Sequence, residues 1–149
     1  MDLFRPEFRR RRSRRIEQRL KHIEGSPAWE SEILDRYERK HGIANDLVQW
    51  KFLPRDLLER CLRSVPRPHL AAILRRLSEN PGANKSGFPD LIVFGRASKR
   101  GSPSCRLIEV KSPADRLQTN QRRWFTFFDR HGIPFRLARV EWLQNPNNY

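Results

Sequence analysis

The stretch Asn84-Lys85-Ser86-Gly87-Phe88-Pro89-Asp90-Leu91-Ile92-Val93-Phe94-Gly95, answered after a polar loop by Arg106-Leu107-Ile108-Glu109-Val110-Lys111, decides how this chain folds. Asn, Ser and Gly at its head are turn chemistry, and Leu91 to Phe94 is a short apolar run of strand formers. The loop over 96–104 carries Gly101 and Pro103, so the second run is most simply a strand paired with the first as a hairpin, stopped by Ser112-Pro113. Further on, Leu117, Trp124, Phe125 and Phe128 recur at helical spacing up to Gly132, and Phe135 to Val140 reads as a third strand. Helix, strand, strand, helix, strand predicts an α/β fold: a small mixed sheet flanked by helices.

Upstream of Asn84 the apolar residues follow the helical period. Ile16, Leu20 and Ile23 predict a helix that docks by one apolar side and carries Arg9, Arg10, Arg11, Arg12, Arg14 and Arg15. Glu30 to His41 places Ile33, Leu34 and Tyr37 on one face and closes at Gly42, a residue favoured just past a helix end. Leu57, Leu58, Cys61, Leu62 and Val65 predict another helix behind Pro54 and Asp56. Leu70, Ile73, Leu74 and Leu77 predict the next, with Pro66-Arg67-Pro68 as the turn between them and Asn80-Pro81-Gly82 as the stop. The expected organisation is a basic helical segment over 1–82 packed on a core over 83–149.

At 149 residues the chain is sized for one globular domain. Its 31 Lys and Arg exceed its 17 Asp and Glu by 14, an excess that repels itself and calls for a polyanionic partner. Up to Ile23, nine basic residues stand against three acidic ones, and the arginine cluster there reads either as a phosphate-gripping arm or as a solvated charge run. Nine Phe and four Trp argue for a real core. No run approaches the roughly 18 consecutive apolar residues of a membrane span, and the charged N-terminus lacks a signal peptide's apolar segment. Cys61 and Cys105 stand far apart without metal-ligand spacing, which predicts reduced thiols and no zinc site. The expected compartment is the cytoplasm, at the nucleoid in a bacterium, or the nucleus in a eukaryote. Nothing in the pattern speaks for a kinase, a serine hydrolase or a dinucleotide-binding enzyme.

The chemistry concentrates in Pro89-Asp90 and, after eighteen intervening residues, Glu109-Val110-Lys111. Alternation along a strand puts Glu109 and Lys111 on one face and Val110 on the other. With Asp90 ending the turn into the neighbouring strand, two carboxylates and an ammonium reach one spot at the sheet edge. Hard oxygen ligands with open positions are what a Mg²⁺- or Mn²⁺-dependent phosphodiesterase needs, and the main-chain carbonyl of Val110 is a further oxygen. Lys111 would orient the attacking water or neutralise the phosphate. The competing reading is a strand bearing an ordinary Glu and Lys as a cross-strand salt bridge, with Asp90 a turn residue making an Asx-type bond.

Gly87-Phe88-Pro89-Asp90-Leu91, together with Leu107-Ile108-Glu109-Val110-Lys111-Ser112-Pro113-Ala114-Asp115-Arg116-Leu117, Gln121 and Trp124, resembles the VRR-NUC branch of the PD-(D/E)XK nuclease superfamily. Within it the chain is most similar to the C-terminal nuclease domain of the Fanconi-associated nucleases, with Ser112 where that family usually has Gly. Weaker likeness extends upstream through His41-Gly42-Ile43-Ala44-Asn45, Trp50 and His69-Leu70. The resemblance implies a restriction-endonuclease-like core and a structure-selective DNA nuclease using Mn²⁺ or Mg²⁺. In it Asp90 and Glu109 hold metal, Val110 adds its carbonyl and Lys111 is the catalytic lysine. It implies a partner in branched, flap or nicked duplex DNA. It also implies an acidic ligand from a helix well upstream, expected to precede Met1 here, with Glu17, Glu24, Glu30 and Glu32 as local candidates to replace it.

Around this centre, Gln121 is expected beside the active site, and Asp115 either caps the following helix or braces the site. Arg9, Arg10, Arg11, Arg12, Lys85 and Arg116 are candidate DNA contacts, as are Arg96, Lys99 and Arg100 on the flanking loop. Trp124, Phe125 and Phe128 lie on an apolar stripe and read as core before base stackers, and His69 and His131 as helix-terminus residues before ligands. Two other functions compete with the nuclease: a non-catalytic DNA-binding remnant of the fold, and a small homodimeric junction resolvase.

Overall fold

The computed structural model describes residues 6–44, 48–95 and 105–141, apart from the side chains of Pro6, Phe8 and Arg9. A three-stranded sheet of order β1-β2-β3 lies at its centre, formed by β1 (Leu91–Phe94), β2 (Cys105–Lys111) and β3 (Phe135–Arg139). β1 runs antiparallel to β2 with Leu91 opposite Ile108 and Phe94 opposite Cys105, the expected hairpin pairing. β3 lies parallel to β2 with Leu107 opposite Phe135 and Lys111 opposite Arg139, so the sheet is mixed.

The helices, in chain order, are α1 (Pro6–Gly25), α2 (Trp29–Lys40), a 3-10 turn over Trp50–Phe52, α3 (Arg55–Ser64), α4 (Arg67–Glu79), the short α5 (Pro81–Asn84), and α6 (Thr119–Arg130) between β2 and β3. On α1, Leu20 is buried while Ile16 and Ile23 are half-buried, the one-sided docking its spacing predicts. Arg75 of α4 reaches back to α1 and pairs with Glu17 and Glu24 at 3.3 and 3.4 Å. Burial acts to lower the Arg75 guanidinium, but the two glutamates outweigh it and hold it above its ordinary range.

The core beneath the sheet is aromatic. Leu107, Trp124, Phe128 and Ile133 form its buried centre, with Trp124 1% and Phe128 0% exposed. Ile73 and Leu77 of α4, Phe88, Ile92, Phe125, Phe127 and Phe135 pack around them. Phe88 stands edge-on to Trp124 at 5.0 Å between centroids, and Trp124 stacks on Phe128 at 5.4 Å. Each such pair adds about 0.5–1.5 kcal/mol beyond the area it buries. These rings are therefore spent on packing, as their helical spacing predicts. The Arg76 guanidinium of α4 lies over Trp124 and Phe127 at 4.6 and 4.7 Å, joining the helical half to the core by cation–π contact.

Three element boundaries differ from the sequence reading. The helix after β2 starts at Thr119, not at Asp115, because Ser112 and Asp115 close a turn of their own. The Asp115 N–H donates to the Ser112 carbonyl, and the Ser112 N–H donates to Asp115 Oδ2, both at 3.1 Å. Arg67 and Pro68 belong to the first turn of α4, where a proline's missing N–H costs nothing. Pro81-Gly82 continues into α5, because the Asn80 side chain accepts the Ala83 N–H and caps it.

Gly87 sets the distance between the turn and α6. Its φ is +80°, and a Cβ there would lie 2.7 Å from the Asn120 carbonyl carbon and 2.8 Å from the Gln121 nitrogen. Both obstacles are backbone, so neither moves cheaply. Gly87→Ala is expected to destabilise the fold by about 2–3 kcal/mol, read as a lowered denaturation midpoint at unchanged denaturant sensitivity; an unshifted midpoint would refute the close approach.

His69, half-buried on α4 with its Nδ1 unpartnered among the described residues, is pushed below its ordinary value of 6.5 by burial and then by the nearby His131. Its folded-state pKa is depressed, so as pH falls through about 6.5 the unfolded chain takes the proton first and stability is lost. His69→Gln should therefore flatten the decline in unfolding midpoint between pH 7.5 and 5.5, and a decline identical to wild type would rule His69 out as its source.

Candidate active site

The alternation of β2 builds the site. Leu107, Glu109 and Lys111 turn to the α6 face and are buried, while Arg106, Ile108 and Val110 turn to the other face. Leu107 anchors this face in the aromatic core, and the next two steps bring a carboxylate and an ammonium into the same packed layer. Asp90 precedes β1, one step beyond the Leu91 and Ile108 pair and so across from Glu109. Its Oδ2 accepts the Val110 N–H at 2.9 Å, which ties the carboxylate to the neighbouring strand.

Glu109 is 1% exposed and Lys111 8%. Lys111 Nζ lies 2.9 Å from Glu109 Oε1, and Gln121 Nε2 donates to that same oxygen. Glu109 Oε2 is buried with no hydrogen-bond partner among the described residues. The pairing runs along one strand, two residues apart and out of solvent, unlike the cross-strand salt bridge considered from the sequence. Burying an ion pair contributes little to stability, because desolvation offsets the Coulomb gain, and an orphaned charged oxygen costs about 1–3 kcal/mol or more. A cation at Oε2 removes that deficit.

Gln121 is held by the start of its own helix. The Gln118 N–H donates to Gln121 Oε1 at 2.9 Å, and the Gln121 N–H donates to Asn120 Oδ1 at 3.0 Å, so the first turn is capped by its own side chains. The same side chain thus closes the helix with one atom and fixes Glu109 with the other. Asn120 Nδ2 donates to Ser86 Oγ and Trp124 Nε1 to the Ser86 carbonyl, both at 3.2 Å, fastening α6 to the turn before Asp90. Sequence reasoning missed Gln118 and Asn120. The three-residue spacing of Gln118 and Gln121 was a usable capping signal, whereas nothing in the sequence pairs Asn120 with Ser86.

The structure brings Asp90, Glu109, Val110, Lys111 and Gln121 together. Asp115 sits on the turn after β2. Its carboxyl is held below the usual carboxylate range by the Ser112 N–H, then by the Ser112 side chain, with the charge of Lys111 adding to both. Arg116 is exposed on the same loop, and Lys85 is exposed at the end of α5, just before Ser86. Arg10, Arg11 and Arg12 are exposed on α1, on a separate helix docked against α4. The side chain of Arg9 lies outside the described residues, as do Arg96, Lys99 and Arg100.

Asp90 and Glu109 oxygens with the Val110 carbonyl are a hard donor set suited to Mg²⁺ or Mn²⁺. No group of three metal-ligating acidic, His or Cys side chains occurs among the described residues. Of the upstream glutamates, Glu17 and Glu24 are engaged with Arg75, and Glu32 with His22 and Ser26. Glu30 lies in the first turn of α2.

The curated relatives include the Fanconi-associated nuclease 1 homolog of Pseudomonas aeruginosa, 38% identical over 141 residues, which are 95% of this chain and 24% of the relative. The Caenorhabditis elegans homolog is 39% identical over 114 residues, 74% of this chain and 13% of the relative. Among solved structures, the crystal structure of paFAN1 bound to a 2-nt 5′-flap DNA with a gap superposes with a TM-score of 0.85 at 36% identity, over 97% of this chain and 26% of that one. The chain thus spans about a quarter of the first of these relatives. The fold is that of the nuclease portion of paFAN1, an α/β arrangement with a small mixed sheet and flanking helices. With the model of the VRR-NUC domain matching residues 26–142, most of its length, the chain belongs to the VRR-NUC family.

Proposed function

We propose that this chain is a metal-dependent, structure-selective deoxyribonuclease of the DNA-repair type, hydrolysing phosphodiester bonds in flap, branched or nicked DNA. The observation that carries the reading is the Glu109 carboxylate, buried with one oxygen held by Lys111 and Gln121 and the other without a partner among the described residues. The relatives' names and the flap DNA in the superposed structures support the substrate class.

Asp90 and Glu109, with the Val110 carbonyl, would hold Mn²⁺ or Mg²⁺. The bound ion supplies an acidified water and Lewis-acid stabilisation of the phosphate. Lys111 has three N–H donors. One is committed to Glu109, and the others orient the water or a phosphate oxygen and neutralise the charge that develops in the transition state. Gln121 keeps the Glu109 carboxylate in one orientation, and Asp115 fixes the loop that follows Lys111. Arg9, Arg10, Arg11, Arg12, Lys85 and Arg116 bind the DNA backbone through phosphate, without reading sequence. We assign residues 1–82 to a basic helical segment and 83–149 to the nuclease core. The place of action is the compartment holding chromosomal DNA, the nucleoid or the nucleus.

One observation favours the second reading, a DNA-binding module without catalysis: the described residues supply two carboxylates to the site and no third. The homodimeric resolvase gains no support from the relatives and is not carried forward.

Incubation of the purified chain with a labelled 5′-flap duplex separates the two. Cutting should begin on addition of Mn²⁺ or Mg²⁺ and cease with EDTA. Asp90→Ala and Lys111→Ala should each lower the rate by about 10²–10⁴-fold while DNA binding persists; intact DNA from a wild-type chain that binds tightly would establish the module instead. Gln121→Leu leaves the inner carboxylates in place and should cost roughly 10–100-fold in metal affinity or rate, with part of the loss recovered at higher Mn²⁺. A Gln121→Leu rate equal to wild type would remove Gln121 from the site.

A further inference from the structure

We propose that Arg139 is a positioning residue of this site, gripping the backbone phosphate next to the one under attack; the inference rests on the nuclease reading above. The sheet register carries it. Lys111 lies opposite Arg139, and Leu107 opposite Phe135, on parallel neighbouring strands whose paired residues project to one face. The Phe135 ring packs against Phe125 and Phe128 of α6 at 4.8 and 5.7 Å between centroids. Alternation then puts Phe135, Leu137 and Arg139 on the α6 face, the face of Glu109 and Lys111. Adjacent strands lie about 4.8 Å apart, so the Lys111 and Arg139 side chains start from neighbouring points on one surface.

The two cations are placed for different work. Lys111 is buried and paired with Glu109. Arg139 is exposed and makes no hydrogen bond, ion pair or ring contact among the described residues. Leu137, opposite Glu109, is 37% exposed, so this flank of the site is open to a bound strand. A planar guanidinium grips a phosphate through two parallel N–H bonds and so fixes its orientation, which a lone ammonium does not. Held there, the strand would present its neighbouring phosphate to Lys111 and the paired carboxylates in one register. Arg136 supplies an internal control: it is exposed on the same strand but lies opposite Ile108, on the other face of the sheet.

The test compares Arg139→Gln, Arg139→Lys and Arg136→Gln in the full chain on a labelled 5′-flap duplex. In EDTA, affinity is followed from 50 to 200 mM salt. Arg139→Gln should lower the slope of log affinity against log salt by about 0.9, the loss of one phosphate contact, while Arg136→Gln leaves it unchanged. In Mn²⁺, Arg139→Gln should lower kcat by roughly 10–100-fold at saturating DNA, since a misplaced strand loses alignment. Arg139→Lys should restore the slope and only part of kcat. Equal slopes and rates for Arg139→Gln and Arg136→Gln would overturn the proposal. A wild type that cuts nothing defeats the nuclease reading, and the slope comparison in EDTA still decides whether Arg139 holds phosphate.

Discussion

The Glu109 carboxylate, taken almost wholly out of solvent and supported on one oxygen by Lys111 and Gln121, is the constraint on which the rest of the structure depends. A charge in that position is costly to desolvate, and two elements must stay in place to make it tolerable. β2 supplies the charge and its ammonium two residues apart, and α6 supplies the amide, while the turn before β1 sets Asp90 alongside, tied by its bond to the Val110 N–H. Shift of β2 or α6 removes a partner and leaves an uncompensated ion. Stability and site geometry are therefore coupled, and the second Glu109 oxygen has no partner among the described residues.

Helix α6 serves both ends of this arrangement. Its inner face, through Trp124 and Phe128, is the centre of the core. Its first turn, through Gln121, is a wall of the site. Ser86 joins the two roles, its carbonyl accepting from Trp124 and its hydroxyl from Asn120. Gly87 permits the backbone approach these bonds require. A helix anchored by large buried rings holds its terminal amide in a fixed position, which is how a precise site is built on a small domain.

Charge is distributed on a different principle. Of the many arginines, Arg75 and Arg76 are consumed internally, one by Glu17 and Glu24 and the other over Trp124 and Phe127. Arg10, Arg11, Arg14 and Arg15 remain on the solvent side of α1. The internal pairs join the helical half to the core, and the exposed cations leave that side of α1 strongly positive.

The sequence by itself determined the element types and the pairing of the hairpin, because periods of 2 and 3.6 and turn residues such as Asn84 and Gly87 are local properties of the chain. It also determined that Asp90, Glu109 and Lys111 belong together, since alternation alone places Glu109 and Lys111 on one side. Boundaries were less legible: the Ser112 and Asp115 turn delays α6 by hydrogen bonds that compete with helix formation. Only the tertiary structure decided that the Glu109 and Lys111 pair is buried, that Gln121 reaches Glu109, that Asn120 meets Ser86, and that Arg139 stands beside Lys111. Those relations join residues 12 to 34 positions apart or rest on the register of a parallel strand pair. Such a register is set by how α6 packs its rings against the sheet, and no local pattern encodes it.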